Sequence, residues 1–165
     1  EMQRSLVGSE MCIRDRNSEE SLRWHLLEYP MYKGMQNCVR DLNLMYKGNP
    51  AFYEEDFDYR GFEWIDHSNA DDSVISYMRK GHNPADYMVV ISNFTPVVRH
   101  DYRIGVNENC RYQEIFNSDD VNYWGSGVKN EGLLTTEEGE WNNKPRSIKV
   151  TLPPLSTIVL KPVRD

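Results

Sequence analysis

A surplus of basic charge is missing from this chain. Among its 165 residues, 19 Lys and Arg stand against 26 Asp and Glu, a net charge of −7. An acidic chain is a poor ligand for phosphate backbones and anionic membrane surfaces, and no run of Lys and Arg with interleaved aromatics offsets that balance. Nucleic acid and membrane are therefore not expected partners, whereas a neutral polymer is compatible with the charge. Long apolar runs are also missing. No stretch approaches the length of a membrane span, and the N-terminus lacks the apolar core of a signal peptide. Cysteine is scarce: Cys12, Cys38 and Cys110 are odd in number and widely spaced. With no CxxC pair and no Cys/His cluster, no zinc site is expected, and the spacing fits the reduced thiols of a cytoplasmic protein. His25, His67, His82 and His100 show no metal-ligand spacing. Gly125, Gly127 and Gly132 lack the strand-then-helix setting and the Lys-Ser/Thr of a phosphate loop. Neither a metal nor a cofactor is expected.

What is present falls into three stretches. The first is residues 1–16. Within it QRSLVGSEMCIRDR, residues 3–16, resembles a translated sequencing-adapter artefact, and its apolar residues Leu6, Val7, Met11 and Ile13 keep neither a helical nor a strand period. The alternative is a genuine arm with a short helix from Gly8 onward. Segments of the first kind are set aside from fold reasoning.

Residues 17–58 read as helical or irregular. Asn17 or Ser18 can cap a first turn, with Glu19 and Glu20 near its positive end. Pro30 and Gly34 break the segment. A helix is predicted over 35–47, with Met35, Val39, Leu42 and Tyr46 forming one apolar stripe. Gly48 ends it, and Asn49-Pro50 reads as a new N-cap and first-turn proline for a short helix through Glu55.

From residue 59 to 165 the character is that of strands. Residues 62–65, 74–78, 87–94 and 100–106 are rich in strand formers, with Tyr102, Ile104 and Val106 on one face. Ile148, Val150 and Leu152 alternate with Ser147, Lys149 and Thr151, as in a half-buried strand. Pro153-Pro154 is a hard break before a last strand over 156–163. Six or seven short strands separated by turn signals predict a mainly β chain built on an antiparallel sandwich. Residues 119–146, polar and weakly patterned, read as a long surface loop.

No catalytic constellation emerges from the residues themselves. The acidic groups Glu54-Glu55-Asp56-Asp58, Asp71-Asp72, Asp119-Asp120 and Glu137-Glu138 are sequence neighbours. Glycoside chemistry instead needs two carboxylates facing each other across a bond, about 5 Å apart for retention. Solvated surface acids are the expected reading. The tryptophans are more informative, because an aromatic face suits the apolar C–H face of a sugar. Trp24 and Trp64 sit in apolar patterns and are expected in the core. Tyr123, Trp124 and Trp141 lie in the polar stretch, where burial explains them less well, and are the candidates for glycan contact.

Five local strings carry a resemblance. SLRWHLLE (21–28), VRDLN (39–43), GFEWI (61–65), SNFTPVVRHDYRIGV (92–106) and TLPPLSTIVL (151–160) resemble the C-terminal end of bacterial glycogen branching enzymes, in family order and at about family spacing. The resemblance covers essentially everything from Asn17 onward. It implies that residues 17–58 are the C-terminal remnant of a truncated (β/α)8 barrel, that residues 21–27 are less helical than their capping pattern suggests, and that residues 59–165 are a C-terminal all-β sandwich. It implies an alpha-glucan partner, glycogen or amylose, acting through the parent enzyme. It also implies that the missing barrel of the same protein is part of the partner for the apolar stripe.

The family's reaction cleaves an alpha-1,4 bond and moves the released chain to a 6-hydroxyl through a covalent intermediate on an aspartate, with a glutamate as acid and base and a second aspartate stabilising the transition state. The motifs for all three lie upstream of SLRWHLLE in the family, so no residue here inherits a catalytic role and the chain alone is expected to be inactive. Two other readings compete, a free-standing glycan-binding sandwich and a purely structural one. The helices before Asp56 favour the enzyme piece, since an independent module has no need of them.

Overall fold

The computed structural model of the chain describes residue 21 and residues 23–164. The foreign-looking stretch and the capping turn at Asn17 or Ser18 lie outside the described residues. A 3-10 turn over Trp24–Glu28 leads into helix α1, Pro30–Gly48. Nine strands follow: β1 Phe62–Asp66, β2 Val74–Lys80, β3 Tyr87–Asn93, β4 Arg99–Val106, β5 Arg111–Asn117, β6 Leu133–Leu134, β7 Thr136–Trp141, β8 Lys144–Leu152 and β9 Ser156–Val163. They form a six-stranded sheet in the order β1-β2-β3-β9-β5-β6 and a three-stranded sheet in the order β4-β8-β7. Every pairing is antiparallel. The predicted antiparallel sandwich is thus the observed architecture, with α1 as a third layer on the outer face of the larger sheet.

Alternation along the strands builds two cores. Val74 and Met78, Val89 and Ile91, and Ile158 and Leu160 point inward from the larger sheet. They meet Ile104, Val106, Ile148, Val150 and Leu152 from the smaller one. The opposite faces of β3, β9 and β5 supply Met88, Val90, Val159 and Phe116, which pack with Ala51, Cys38 and Met45 beneath the helix. Each fully buried aliphatic side chain contributes about 1.5–3 kcal/mol. Because β3 is covered on both faces, all seven of its residues are buried.

Helix α1 ends at Gly48 as expected but departs from its prediction at its start and in its facing. Pro30 does not break it but starts it, at N1, where a missing N–H costs nothing. Gly34 lies inside the helix and is its one buried residue. A Cβ there would sit 2.7 Å from the carbonyl carbon of Tyr123, so the glycine permits the helix to touch the 3-10 turn Val121–Tyr123. The face turned to the sheet carries Gly34, Cys38 and Met45. Met35, Val39, Leu42 and Tyr46, the predicted stripe, stay exposed, Met35 at 64%. At the far end the Asn49 side-chain amide donates to the Met45 carbonyl (2.7 Å) rather than capping a second helix, and Pro50–Phe52 makes only one 3-10 turn.

The polar stretch is also more ordered than its composition suggests. Beyond the 3-10 turn it forms β6, β7 and the first residues of β8. Asn142 and Asn143, at φ 50° and 57°, make a two-residue turn that registers Trp141 against Lys144. Asparagine tolerates these left-handed angles, which match the twist of a hairpin. Strand β5 escapes the alternation rule because a register shift between Glu114 and Phe116 interrupts its period of two.

Polar ties hold the sheets at both ends of the sandwich. Asn93 is buried. Its side-chain amide donates to the carbonyls of Val97 (2.9 Å) and Pro153 (2.8 Å), and its Oδ1 accepts from the Thr95 backbone (3.1 Å) and hydroxyl (2.7 Å). Elsewhere, Glu63 of β1 pairs with Lys80 of β2 and with the buried Lys144 of β8, joining the larger sheet's edge to the hairpin. Asn142 reinforces this tie by donating to Asp66 (3.1 Å).

Two predictions follow from this packing. In an isolated helix Gly→Ala gains about 1 kcal/mol; in this chain Gly34→Ala loses about 1–3 kcal/mol, because the new methyl meets backbone that must move. A urea midpoint at or above that of the parent would show that the helix shifts freely.

The second concerns Glu63. Burial raises its carboxyl, but the ammonium groups of Lys144 and Lys80 outweigh that and hold it below its ordinary 4.5. A depressed folded value means a contribution that is present above the ordinary carboxylate range and lost as pH falls through and below it. Stability therefore declines below about pH 4.5 in part through this group, and Glu63→Gln removes that part of the slope. The same substitution costs about 1–3 kcal/mol at neutral pH by stranding Lys144. Identical pH slopes for the two proteins would refute the assignment.

Candidate functional site

The acidic groups are engaged in the structure with bases and backbone. Asp56 pairs with Arg79 (2.6 Å), Asp72 with Arg99 (2.6 Å), Glu137 with Lys149 (2.8 Å) and Asp58 with Arg60 (2.9 Å). Glu54 accepts the His82 backbone N–H (3.0 Å), and Glu55 lies 2.7 Å from the His82 ring nitrogen. Hydrogen bonds to their basic partners hold the Asp58 and Glu137 carboxyls below the usual range. Asp41 is lowered by Arg40 first and then Tyr123, and Glu108 is lowered by Arg164. A general acid needs a raised carboxyl, and Asp41, Asp58, Glu108 and Glu137 move the other way. Among the described residues no group of three or more His, Cys, Asp or Glu is placed to hold a metal ion. No helix among them is long and apolar enough to cross a membrane.

The three aromatic candidates occupy different settings. Tyr123 is half-buried, stacked on Phe116 with ring centroids 5.8 Å apart. Its hydroxyl donates to Asp41 of α1 (2.9 Å). Burial pushes that hydroxyl's pKa up and the Asp41 carboxylate adds to it, so the group stays protonated and donating. Its ring and its hydroxyl therefore bind the polar stretch to the helix.

Trp141 ends β7. Its indole N–H donates to the Arg103 carbonyl (2.9 Å), and the Arg103 guanidinium carbon lies 4.9 Å from the ring centroid. One face and the polar edge are thus already in use.

Trp124 differs from both. It follows the 3-10 turn in the left-handed region, φ 73° and ψ 24°, and is 54% exposed. Trp124 lines a cleft of about 480 Å³ against the first turns of α1, with Lys33, Asn37, Val121 and Asn122 around it. Trp141 does not line this cleft.

The two tryptophans expected in the core are exposed. Trp24 lies on the 3-10 turn before α1. Trp64 is 47% exposed on edge strand β1, on the side opposite Ile65. Its ring meets Phe62 edge-on at 4.8 Å, with Tyr77 and His67 nearby. The signal for Trp64 was present in the alternation of Phe62-Glu63-Trp64-Ile65, since only one of Trp64 and Ile65 can face the sandwich interior. Lys33 and Asn37 gave no comparable signal, because only the close approach of α1 to Tyr123 brings them to Trp124.

Comparison with known proteins agrees with this architecture. The chain is 47% identical over 149 residues to the 1,4-alpha-glucan branching enzyme GlgB of Rubrobacter xylanophilus, a match covering 90% of this chain and 20% of that protein. It is 46% identical over 149 residues to the GlgB of Halothermothrix orenii (90% of this chain, 24% of that protein) and 45% identical over 149 residues to that of Aquifex aeolicus (90% and 24%). The chain thus spans about a fifth to a quarter of the length of these curated relatives. The family profile described as "Alpha amylase, C-terminal all-beta domain" matches residues 64–163, which run from edge strand β1 to the last residue of β9. That match takes in all of the sandwich but the first two residues of β1 and more than half of the chain, and the chain belongs to this family of alpha-amylase C-terminal all-beta domains.

Proposed function

We propose that the chain is the C-terminal part of a cytoplasmic 1,4-alpha-glucan branching enzyme, with residues 17–58 the end of a catalytic barrel and residues 59–165 a non-catalytic sandwich that braces it. The observation that carries this reading is identity of 45–47% over nine-tenths of the chain with branching enzymes about four times its length. The parent enzyme transfers a cleaved alpha-1,4-glucan chain to a 6-hydroxyl, and the carboxylates for that step belong to the barrel. The role of this part is mechanical: it buries one face of α1 and leaves the other for its neighbour.

The state of α1 supports the bracing role over a free-standing glycan module. Met31, Met35, Val39 and Leu44 are exposed on it. An independent module needs the helix only for the side that covers the sheet and would gain nothing by leaving so apolar a surface bare on the rest of it. The direct test is the genomic sequence upstream of Asn17. An open frame continuing into a barrel supports the reading, and a stop codon immediately upstream in the native gene refutes it.

The purified chain should neither lower the iodine stain of amylose nor create alpha-1,6 linkages, because the two carboxylates that this reaction needs belong to the barrel. Either change would overturn the assignment of catalysis to the barrel.

The combined substitution Met35→Gln, Val39→Gln and Leu44→Gln should leave the stability of this chain within about 0.5 kcal/mol, as expected where little is packed. The same change in a complete branching enzyme should lower its melting temperature. A loss of several kcal/mol in the chain alone would mean that the face is already packed against the sandwich.

A further inference from the structure

Trp124 is held where a bulky side chain is seldom found. Left-handed backbone angles are uncommon outside glycine, and for a residue of this size they are a genuine outlier. The loop around it enforces them. The Trp124 N–H donates to the Val121 carbonyl (3.1 Å), the Gly125 N–H to Asp120 (3.1 Å) and the Gly127 N–H to Asp119 (2.9 Å). The Asp119 carboxylate also accepts from the Ser126 backbone (2.9 Å) and hydroxyl. The side chain at this fixed backbone position is left more than half exposed.

The lining mixes apolar Pro30 and Val121 with polar Lys33, Asn37 and Asn122 and carries no carboxylate. The cleft is closed on its other side by Pro30, Lys33, Gly34 and Asn37 of α1, with Asn122 at its edge. Gly34 brings this wall in, since any side chain there would collide with Tyr123. The Lys33 ammonium donates to the neighbouring Gln36 (2.8 Å), and the Asn37 amide reaches the Asn122 carbonyl at a long 3.4 Å. A volume of about 480 Å³ lies within the usual span for small-ligand sites.

An aromatic wall suits the C–H face of a pyranose, while the ammonium and amide groups suit its hydroxyls. The ammonium disfavours a cationic ligand, and the absence of a second basic group in the lining gives a polyanion little to hold.

We propose that this cleft is a non-catalytic subsite for one or two glucose units of an alpha-1,4-glucan chain, with Trp124 as the stacking platform and Lys33, Asn37 and Asn122 as hydrogen-bonding groups. The inference rests on the reading of the parent enzyme as acting on alpha-glucan. Tyr123 takes part only as the anchor that holds the loop to α1, and Trp141 lies outside the subsite.

Isothermal titration of the chain with maltoheptaose tests this. Trp124→Gly is the informative variant, because it removes the ring and relieves the left-handed constraint together. It should keep the parent's unfolding midpoint while weakening maltoheptaose binding roughly tenfold, the order expected for loss of one aromatic contact. Lys33→Ala combined with Asn37→Ala should weaken binding without touching the loop, and Trp141→Phe should leave affinity unchanged. Undiminished affinity in the Trp124→Gly and the Lys33/Asn37 variants, or no binding by the parent chain, overturns the subsite. Neither result bears on the branching-enzyme reading, which stands or falls on the upstream gene sequence.

Discussion

The fold depends on the burial of β3 on both faces. Its pairing with β2 and β9 satisfies the backbone on either side, which leaves the side chains free to serve two cores at once. Tyr87, Val89 and Ile91 face the smaller sheet, while Met88 and Val90 face the layer under α1. A strand covered in this way needs apolar residues at successive positions, and the run Met88-Val89-Val90-Ile91 supplies them. Either layer removed would return one half of that run to water. The helix therefore has a structural duty toward the sandwich beyond any duty it has toward other parts of an enzyme.

Once the layers are stacked, a few polar side chains fix how they register. Asn93 uses both donors and its acceptor oxygen to join three backbone segments at one end, so the loop after β3 and the turn before β9 cannot move independently. The Glu63 carboxylate does the same at the edge of the sandwich through two ammonium groups. Asp41 and Tyr123 connect helix and 3-10 turn, and they set the distance across which Trp124 faces Lys33. In each case a buried or half-buried polar group replaces hydration with several partners, the condition under which such groups specify structure.

The strands with uninterrupted alternation were legible in the sequence: 74–78, 87–94, 100–106, 147–152 and 156–163 all lie within or within a residue of observed strands. Failures came where long-range contact overrides local pattern. The stripe of Met35, Val39, Leu42 and Tyr46 is the most apolar face of α1, yet the sheet receives Gly34, Cys38 and Met45 instead. No periodicity rule can tell which of two apolar faces of a helix the sheet will take. Gly34 looked like a breaker because its purpose, close approach to Tyr123, involves a residue almost ninety positions away. The Asn142-Asn143 turn was within reach of sequence reasoning, since two such residues between extended segments are a hairpin signal. Trp64 likewise alternates with a core isoleucine. The composition of residues 119–146 obscured the hairpin, and the size of the indole obscured the second.

The four sheet edges end in ways that discourage a further strand. At the larger sheet, β1 has a register shift between Trp64 and Asp66, and β6 is two residues long. At the smaller sheet, β4 is interrupted around Asp101, at φ 53°, and carries Arg99, His100 and Arg103. Edge strand β7 places Glu137, Glu138 and Glu140 around Gly139, at φ 121°. Irregularity, brevity and charge are the features by which natural edges avoid open-ended pairing. Recruitment to this domain is thereby confined to its faces and loops. A neighbour must recognise side chains, not add its backbone to a ladder, and the sandwich is protected from strand exchange with other copies of itself.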